Sequence, residues 1–188
     1  MEPECLDQIP DGRYFDVKEQ LVPNLVEIGR NILSYELDGY WREIHTLDDY
    51  FHLNMDALIG YFRSPFTTHR RSPCERVERQ EPASVDESVR MVGPVALGEG
   101  CTVNASAQVF GPCVIGGGAH VGAGSVVSNS VVLADSAIGV GTYVHGSILG
   151  ERAHVGDGER LMGVSLLRGE ARVRSGRPPT QCFSLPPR

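Results

Sequence analysis

Lysine is almost absent from this 188-residue chain: Lys18 is the only one, and the rest of its 17 basic residues are arginines. Chemistry that sets a compact ammonium against a phosphate therefore has a single candidate. A positive surplus is missing too, since the formal charge is -7. Holding a polyanion takes a basic face that releases counterions, which excludes a general nucleic-acid binder. No apolar run approaches the roughly 20 residues that span a bilayer, and the N-terminus, Met1-Glu-Pro-Glu, offers neither a basic nor an apolar leader. The expectation is a cytoplasmic protein that does not enter membranes. Cysteine is sparse and unpatterned: Cys5, Cys74, Cys101, Cys113 and Cys182 are odd in number and lack CxxC spacing. That excludes a disulfide framework or a cysteine-rich zinc site, and the thiols read as reduced, small apolar groups.

What is present falls into segments. Residues 1–62 show mixed α/β patterning. Asp16 with Glu19 at the third helical position can start a helix, Leu21, Val22, Leu25 and Val26 form its apolar face, and Gly29 ends it. Residues 31–37 and 40–44 read as short strands about a turn at Asp38-Gly39. Thr46 with Asp49 offers a capping box for a second helix, which lines up Phe51, Met55, Leu58, Ile59 and Phe62 on one face. Two helices and two strands make a thin core, so this segment is expected to lean on a neighbour or a second copy. Residues 63–80, with Arg70-Arg71-Ser72-Pro73, turn rich in Arg, Pro, Ser and Thr and read as a solvated linker.

Residues 81–162 carry the strongest pattern. An aliphatic side chain returns almost every six positions at Val85, Met91, Leu97, Val103, Val109, Ile115, Val121, Val127, Leu133, Ile138, Val144, Leu149 and Val155. Four residues after most of these stands a second small or aliphatic one, among them Cys101, Ala107, Cys113, Ala119, Ser125, Val131, Ala137, Thr142, Ile148 and Ala153. A six-residue period with a fixed apolar site marks a parallel β-helix, in which three short strands close one triangular coil. The aliphatic residue points inward, its small companion shares the corner, and glycine fills the turns. Stacking coils about 4.8 Å apart builds a solenoid of about four coils with one continuous core. Two steps shrink to five residues, Leu133 to Ile138 and Val144 to Leu149, and read as one-residue deletions at turns. Beyond about Leu161 the rhythm fades, and residues 163–188 form an Arg- and Pro-rich tail suited to capping the last coil.

The stretch Ile9-Pro-Asp-Gly-Arg-Tyr-Phe-Asp16, then Leu21-Val-Pro23, then Gly39-Tyr-Trp-Arg-Glu-Ile-His-Thr-Leu-Asp-Asp-Tyr50 resembles the closing segment of the catalytic domain in sugar-1-phosphate nucleotidyltransferases, mannose-1-phosphate guanylyltransferase above all. In that family the segment runs straight into a left-handed hexapeptide β-helix. The resemblance implies a mainly β chain, a left-handed parallel β-helix preceded by a small α/β remnant. It also implies an activity, the joining of a nucleoside triphosphate to a sugar 1-phosphate with release of pyrophosphate and with magnesium. Such chemistry needs a glycine-rich loop and cations around the phosphates, and carboxylates for the metal. The family's loop lies ahead of the region matched here. Its Trp-x-Asp-Ile/Val-Gly motif carries a magnesium aspartate at the third position, and the positions matching its Trp, Asp and Gly are Trp41, Glu43 and His45. Glu43 is thus a degenerate metal position, longer by one methylene. The resemblance therefore implies no catalytic and no cofactor-binding residue, and no cofactor for the chain alone. Partnership is expected in a homo-oligomer or with a full-length nucleotidyltransferase subunit, in an assembly or regulatory role.

Hexapeptide β-helices also serve acyltransferases, which makes His120, His145 and His154 the alternative site. By hexad count His120 and His154 are equivalent two coils apart, roughly 10 Å, too far to share one metal within a chain. Surface turns are the expected setting for all three. Asp48 and Asp49 fall in a first helical turn, where the helix dipole favours negative charge.

Overall fold

The computed structural model describes residues 2–60, 77–166, 172–173 and 182–184. Phe62, the stretch Arg70-Arg71-Ser72-Pro73, Cys74 and the tail arginines 174 and 177 lie outside the described residues. The chain divides into two compact units, Met1–Gly39 and Tyr40–Arg188.

In the first unit a 3-10 turn, Pro3–Gln8, precedes a π-helical turn, Val17–Leu21, that runs into α1, Val22–Glu27. Asp16 caps it as expected: its Oδ1 accepts from the Glu19 amide at 2.7 Å. Gly29, at φ +76°, closes it. Of the four residues assigned to the apolar face, Leu21 and Leu25 are buried, while Val26 is 58% exposed. The π turn widens the helix ahead of α1, so a 3.6-residue period carried across it misplaces part of the stripe. The two strands expected at 31–37 and 40–44 do not form. A two-stranded hairpin with no third strand is marginal in water, and the described residues lend it none.

The second unit begins with α2, Leu47–Ile59, and continues as a mainly parallel β-solenoid of about five turns. One face stacks Val77–Arg79, Val95–Leu97, residues 113–115 and 130–132, Ile148–Leu149 and Val164–Leu166. The second stacks Ser84–Val85, Thr102–Val103, His120–Val121, Ala137–Ile138, His154–Val155 and Arg172–Val173. The third stacks Arg90–Val92, residues 108–110 and 126–128, Tyr143–His145 and Arg160–Met162. Cys182–Ser184 returns antiparallel on Val164–Leu166, the capping position expected of the tail. Along the axis lie Leu97, Val103, Val109, Ile115, Val121, Val127, Val132, Ile138, Val144, Leu149, Val155, Leu161 and Leu166, each at most 3% exposed.

Three register details differ from the sequence reading. Val132, not Leu133, fills the corner, so the first short step runs from Val127. The small companions in the later coils are Ser130, Ser136 and Ser147 rather than Val131, Ala137 and Ile148. A third short step, from Leu161 to Leu166, carries the solenoid past the point where the glycine rhythm fades. The cause is α2. Phe51, Met55 and Leu58 pack on Val131 and Ile148 from outside, with Ala96, Val114 and Leu133 beside them. That face is apolar on both sides, and a strand buried on both sides loses the alternation that would fix its register.

At the shortened corner, buried hydroxyls replace part of the backbone ladder. Ser130 Oγ donates to Ser128 O at 2.7 Å and accepts from Ser147 N at 3.2 Å. One coil on, Ser147 Oγ donates to His145 O at 2.8 Å and accepts from Val164 N at 3.2 Å. Ser147→Ala strips a partner from both backbone groups, so a loss of about 1–3 kcal/mol is expected in urea unfolding. An unchanged midpoint with an unchanged slope would show that the hydroxyl bridge contributes nothing.

Candidate functional site

The motif that carries the family resemblance is fastened to α2 by one of its two sides. Tyr40 OH donates to Asp56 Oδ2 at 2.7 Å, and Arg42 Nη2 donates to the same oxygen at 3.0 Å. Arg42 Nε closes the triangle by donating to Tyr40 OH at 3.0 Å. Burial, and then the Asp56 carboxylate, pushes the Tyr40 phenol above its ordinary value. Residues 41, 43 and 45 alternate with the two anchors and face outward: Trp41 is 69% exposed, and the Glu43 and His45 side chains are exposed as well. Glu43 Oε2 lies 3.1 Å from His45 Nε2.

The start of α2 holds the segment from its other end. Thr46 and Asp49 form the expected capping box: Asp49 N donates to Thr46 Oγ1 at 3.1 Å, and Thr46 N donates to Asp49 Oδ2 at 2.9 Å. The Thr46 hydroxyl, and next the His45 amide, hold the Asp49 carboxyl below its usual range. A carboxyl depressed in the folded state supports folding above its unfolded pKa, and the support fades as pH falls through the depressed value. The His45 and Thr46 amide resonances are therefore expected to shift together only below about pH 4, and Asp49→Asn to abolish the step. A midpoint at or above the ordinary carboxylate value would contradict the cap. Asp48 faces His52, whose Nδ1 lies 3.2 Å from Asp48 Oδ2, so the two aspartates serve a helix start rather than acid–base work.

Glu43 was the one metal position implied by the resemblance; its carboxylate is exposed and has the His45 imidazole 3.1 Å away. Among the described residues no group of three His, Cys, Asp or Glu side chains converges on a point. The glycine-rich stretches do not supply a phosphate loop either. A Cβ on Gly116 would fall 2.7 Å from Ala134 N and from the Leu133 carbonyl carbon, so this glycine is occupied by the next coil.

The solenoid histidines are dispersed, and His120 and His145 have side-chain partners. His120 and His154 hold the same register on either side of Ala137. His120 Nε2 meets Asn104 Nδ2 at 2.9 Å. His145 Nδ1 meets Ser128 Oγ at 2.9 Å, and its ring is inclined 27° to that of Tyr143 with centroids 6.5 Å apart; Arg160 sits 4.7 Å from the Tyr143 centroid. Cys101 and Cys113 are buried and free, as their corner positions required, and burial raises both thiols, Cys113 to about 12. In the first unit, a cavity of about 430 Å³ is walled by Glu4, Cys5, Leu25, Ile28 and Arg30, with Glu4 and Arg30 3.8 Å apart and open to solvent.

Residues 91–188 match the family described as the GMPPB C-terminal domain. The chain belongs to that family. It corresponds to the C-terminal portion of a sugar-1-phosphate nucleotidyltransferase, and its curated relatives agree. A glucose-1-phosphate adenylyltransferase of Desulfitobacterium hafniense (strain Y51) is 28% identical over 182 residues, covering 95% of this chain and 42% of that protein. Its counterpart in Thermomicrobium roseum is 37% identical over 153 residues, covering 78% and 34%. The chain thus spans less than half the length of these relatives. Among solved structures, a point mutant of perosamine N-acetyltransferase from Caulobacter crescentus, in complex with CoA and GDP-perosamine, is similar at 16% identity and a TM-score of 0.37, over 59% of this chain and 58% of that one. Within this sugar-nucleotidyltransferase portion, no described helix is long and apolar enough to cross a membrane. Sequence reasoning missed the Tyr40–Arg42–Asp56 triangle, although the Gly-Tyr-Trp-Arg spacing places residues 40 and 42 on one side of an extended chain.

Proposed function

We propose that this chain acts in cytoplasmic sugar-nucleotide synthesis of the GDP-mannose type, as an assembly or regulatory portion that does not perform nucleotidyl transfer by itself. The reading rests above all on the motif beside α2. Tyr40 and Arg42 are committed to Asp56, and the side that would face a substrate presents Trp41, Glu43 and His45, with the Asp49 carboxylate given to the helix cap and no ammonium close in sequence. Transferring a nucleotidyl group from a triphosphate to a sugar 1-phosphate spreads negative charge over the phosphate oxygens, and that charge needs a dense cluster of cations and amides. The segment 39–46 offers only Arg42, and its guanidinium already serves Asp56. A solenoid with a helix sealed to one face is in contrast a rigid platform for holding subunits together, either with its own copies or beside a complete nucleotidyltransferase subunit.

The test is direct. Purified chain, supplied with magnesium, GTP or ATP, and mannose 1-phosphate or glucose 1-phosphate, is expected to release no pyrophosphate above the rate without protein. Sustained turnover, abolished by Glu43→Ala, would sink the reading.

A further inference from the structure

Residues 40–45 form neither helix nor strand, and they are held to α2 differently at their two ends. Near Thr46 the grip is on backbone: Asp49 Oδ2 accepts from the His45 and Thr46 amides at 3.2 and 2.9 Å. At the far end the grip is on side chains alone, and both of them converge on one atom, Asp56 Oδ2. Seven residues separate Asp49 from Asp56, which is two turns on one side of α2 and about 10.5 Å along its axis. Phe51, Met55 and Leu58 turn away from that side, against the solenoid. An extended chain from residue 42 to residue 46 covers roughly 13 Å. The segment therefore runs back along α2 as a strap with a pin at each end.

Between the pins no apolar side chain is buried. Ile44, which alternation places on the side of the anchors, is 51% exposed, and Trp41 stands in water. The helix beneath is held otherwise, since Phe51, Met55 and Leu58 are buried in their contact with the solenoid. A segment tied by a few part-exposed polar bonds opens at lower cost than one seated by a buried apolar face. We infer that the Tyr40–Arg42–Asp56 triangle is a latch that opens while α2 stays seated. The strap then hinges at the Thr46 cap, and Trp41, Glu43 and His45 are released together from one fixed orientation. Asp56 is the control point, because its Oδ2 serves both anchors, whereas the bond from Arg42 Nε to Tyr40 OH joins the anchors only to each other. The latch is a property of the second unit alone and does not depend on the noncatalytic role proposed above.

Trp41 is the only tryptophan of the chain, so its fluorescence reports on the strap and on nothing else. In the intact chain, Asp56→Ala is expected to raise the amplitude of the fast component of the Trp41 anisotropy decay about twofold or more. Arg42→Gln, which leaves the Tyr40 bond in place, is expected to raise it by less, and the two changes combined by no more than Asp56→Ala does. Alanine is a good helix former, and amide exchange of residues 50–59 should stay within twofold in all three variants. Should Asp56→Ala fail to fold, Arg42→Gln carries the test by itself. An unchanged decay overturns the latch, because the strap is then seated by something other than Asp56. Exchange that quickens throughout α2 in step with the decay overturns it as well, because strap and helix then open as one body. Pyrophosphate release by the chain alone would remove the noncatalytic role and leave the latch standing.

Discussion

Gly116→Ala is expected to cost the solenoid about 2 kcal/mol or more, and Gly124→Ala about 1 kcal/mol. Both are turn glycines in successive corners of the same coil, and the sequence does not tell them apart. Gly124 has φ +65° and open space where a Cβ would go. Its register mate one coil earlier, Ser106, holds φ +59° with a side chain in place, so that corner tolerates an L-residue at the ordinary left-handed cost. Gly116 has no unusual φ, and its amide donates to Val132 O at 2.7 Å. A methyl there meets backbone atoms of the next coil at 2.7 Å, and backbone in a stacked ladder has nowhere to go. The same close approach holds one coil earlier, where a Cβ on Gly98 would fall 2.7 Å from the Gly116 carbonyl carbon, and it ends one turn on, where Leu133 stands at the equivalent corner and packs toward α2. Thermal melts of the two variants decide the matter: equal shifts would mean that coil spacing is set by something other than these contacts. For a chain of this size the expected difference is a few degrees.

The solenoid was legible because its period is enforced by geometry that repeats. Every inward aliphatic from Leu97 to Val127 stands where the six-residue count put it, since those coils are regular and only their inner side is fully apolar. Leu149 also stands where the count put it, with only its companion moved from Ile148 to Ser147, and the count slipped at Val131-Val132-Leu133, where adjacent aliphatics offer two registers of equal hydrophobicity. Periodicity cannot choose between them, because the choice depends on a helix more than seventy residues away in sequence. The signal was nevertheless present: consecutive aliphatics in a strand mean a second buried face, and α2 already showed Phe51, Met55 and Leu58 in search of one. The strands expected at 31–37 and 40–44 failed for a different reason. Local alternation states a preference, and a strand also needs an edge to pair with. The site was legible in its sequence position and not in its orientation. That Glu43 would lie beside His45, with Tyr40 and Arg42 turned to Asp56, follows from a hydrogen-bonded triangle that no spacing rule encodes.

Those two buried layers make neighbouring residues respond in opposite ways. Leu149 points into the axis, where it is fully buried among residues of three faces, and Leu149→Asp puts a carboxyl where neither water nor a partner can reach it. The loss is expected to be on the order of 5 kcal/mol, with exchange protection falling through all the coils at once, because each coil is stable only by its neighbours. Ile148, one residue earlier, is equally buried but lies under Phe51, Met55 and Leu58. Ile148→Asp gives the chain a cheaper escape, since α2 can lift and return the carboxyl to water. The cost is then capped at the value of the helix contact, which is set by the buried side chains of Phe51, Met55 and Leu58. Amides of residues 47–59 should exchange rapidly while those of residues 120–145 stay protected, and the Tyr40–Arg42–Asp56 triangle should dissolve with them. If Ile148→Asp instead exposes the coils as broadly as Leu149→Asp does, α2 is part of the solenoid's folding unit. Trp41, Glu43 and His45 would then be fixed by the solenoid itself, and the motif side would be as rigid as the platform that carries it.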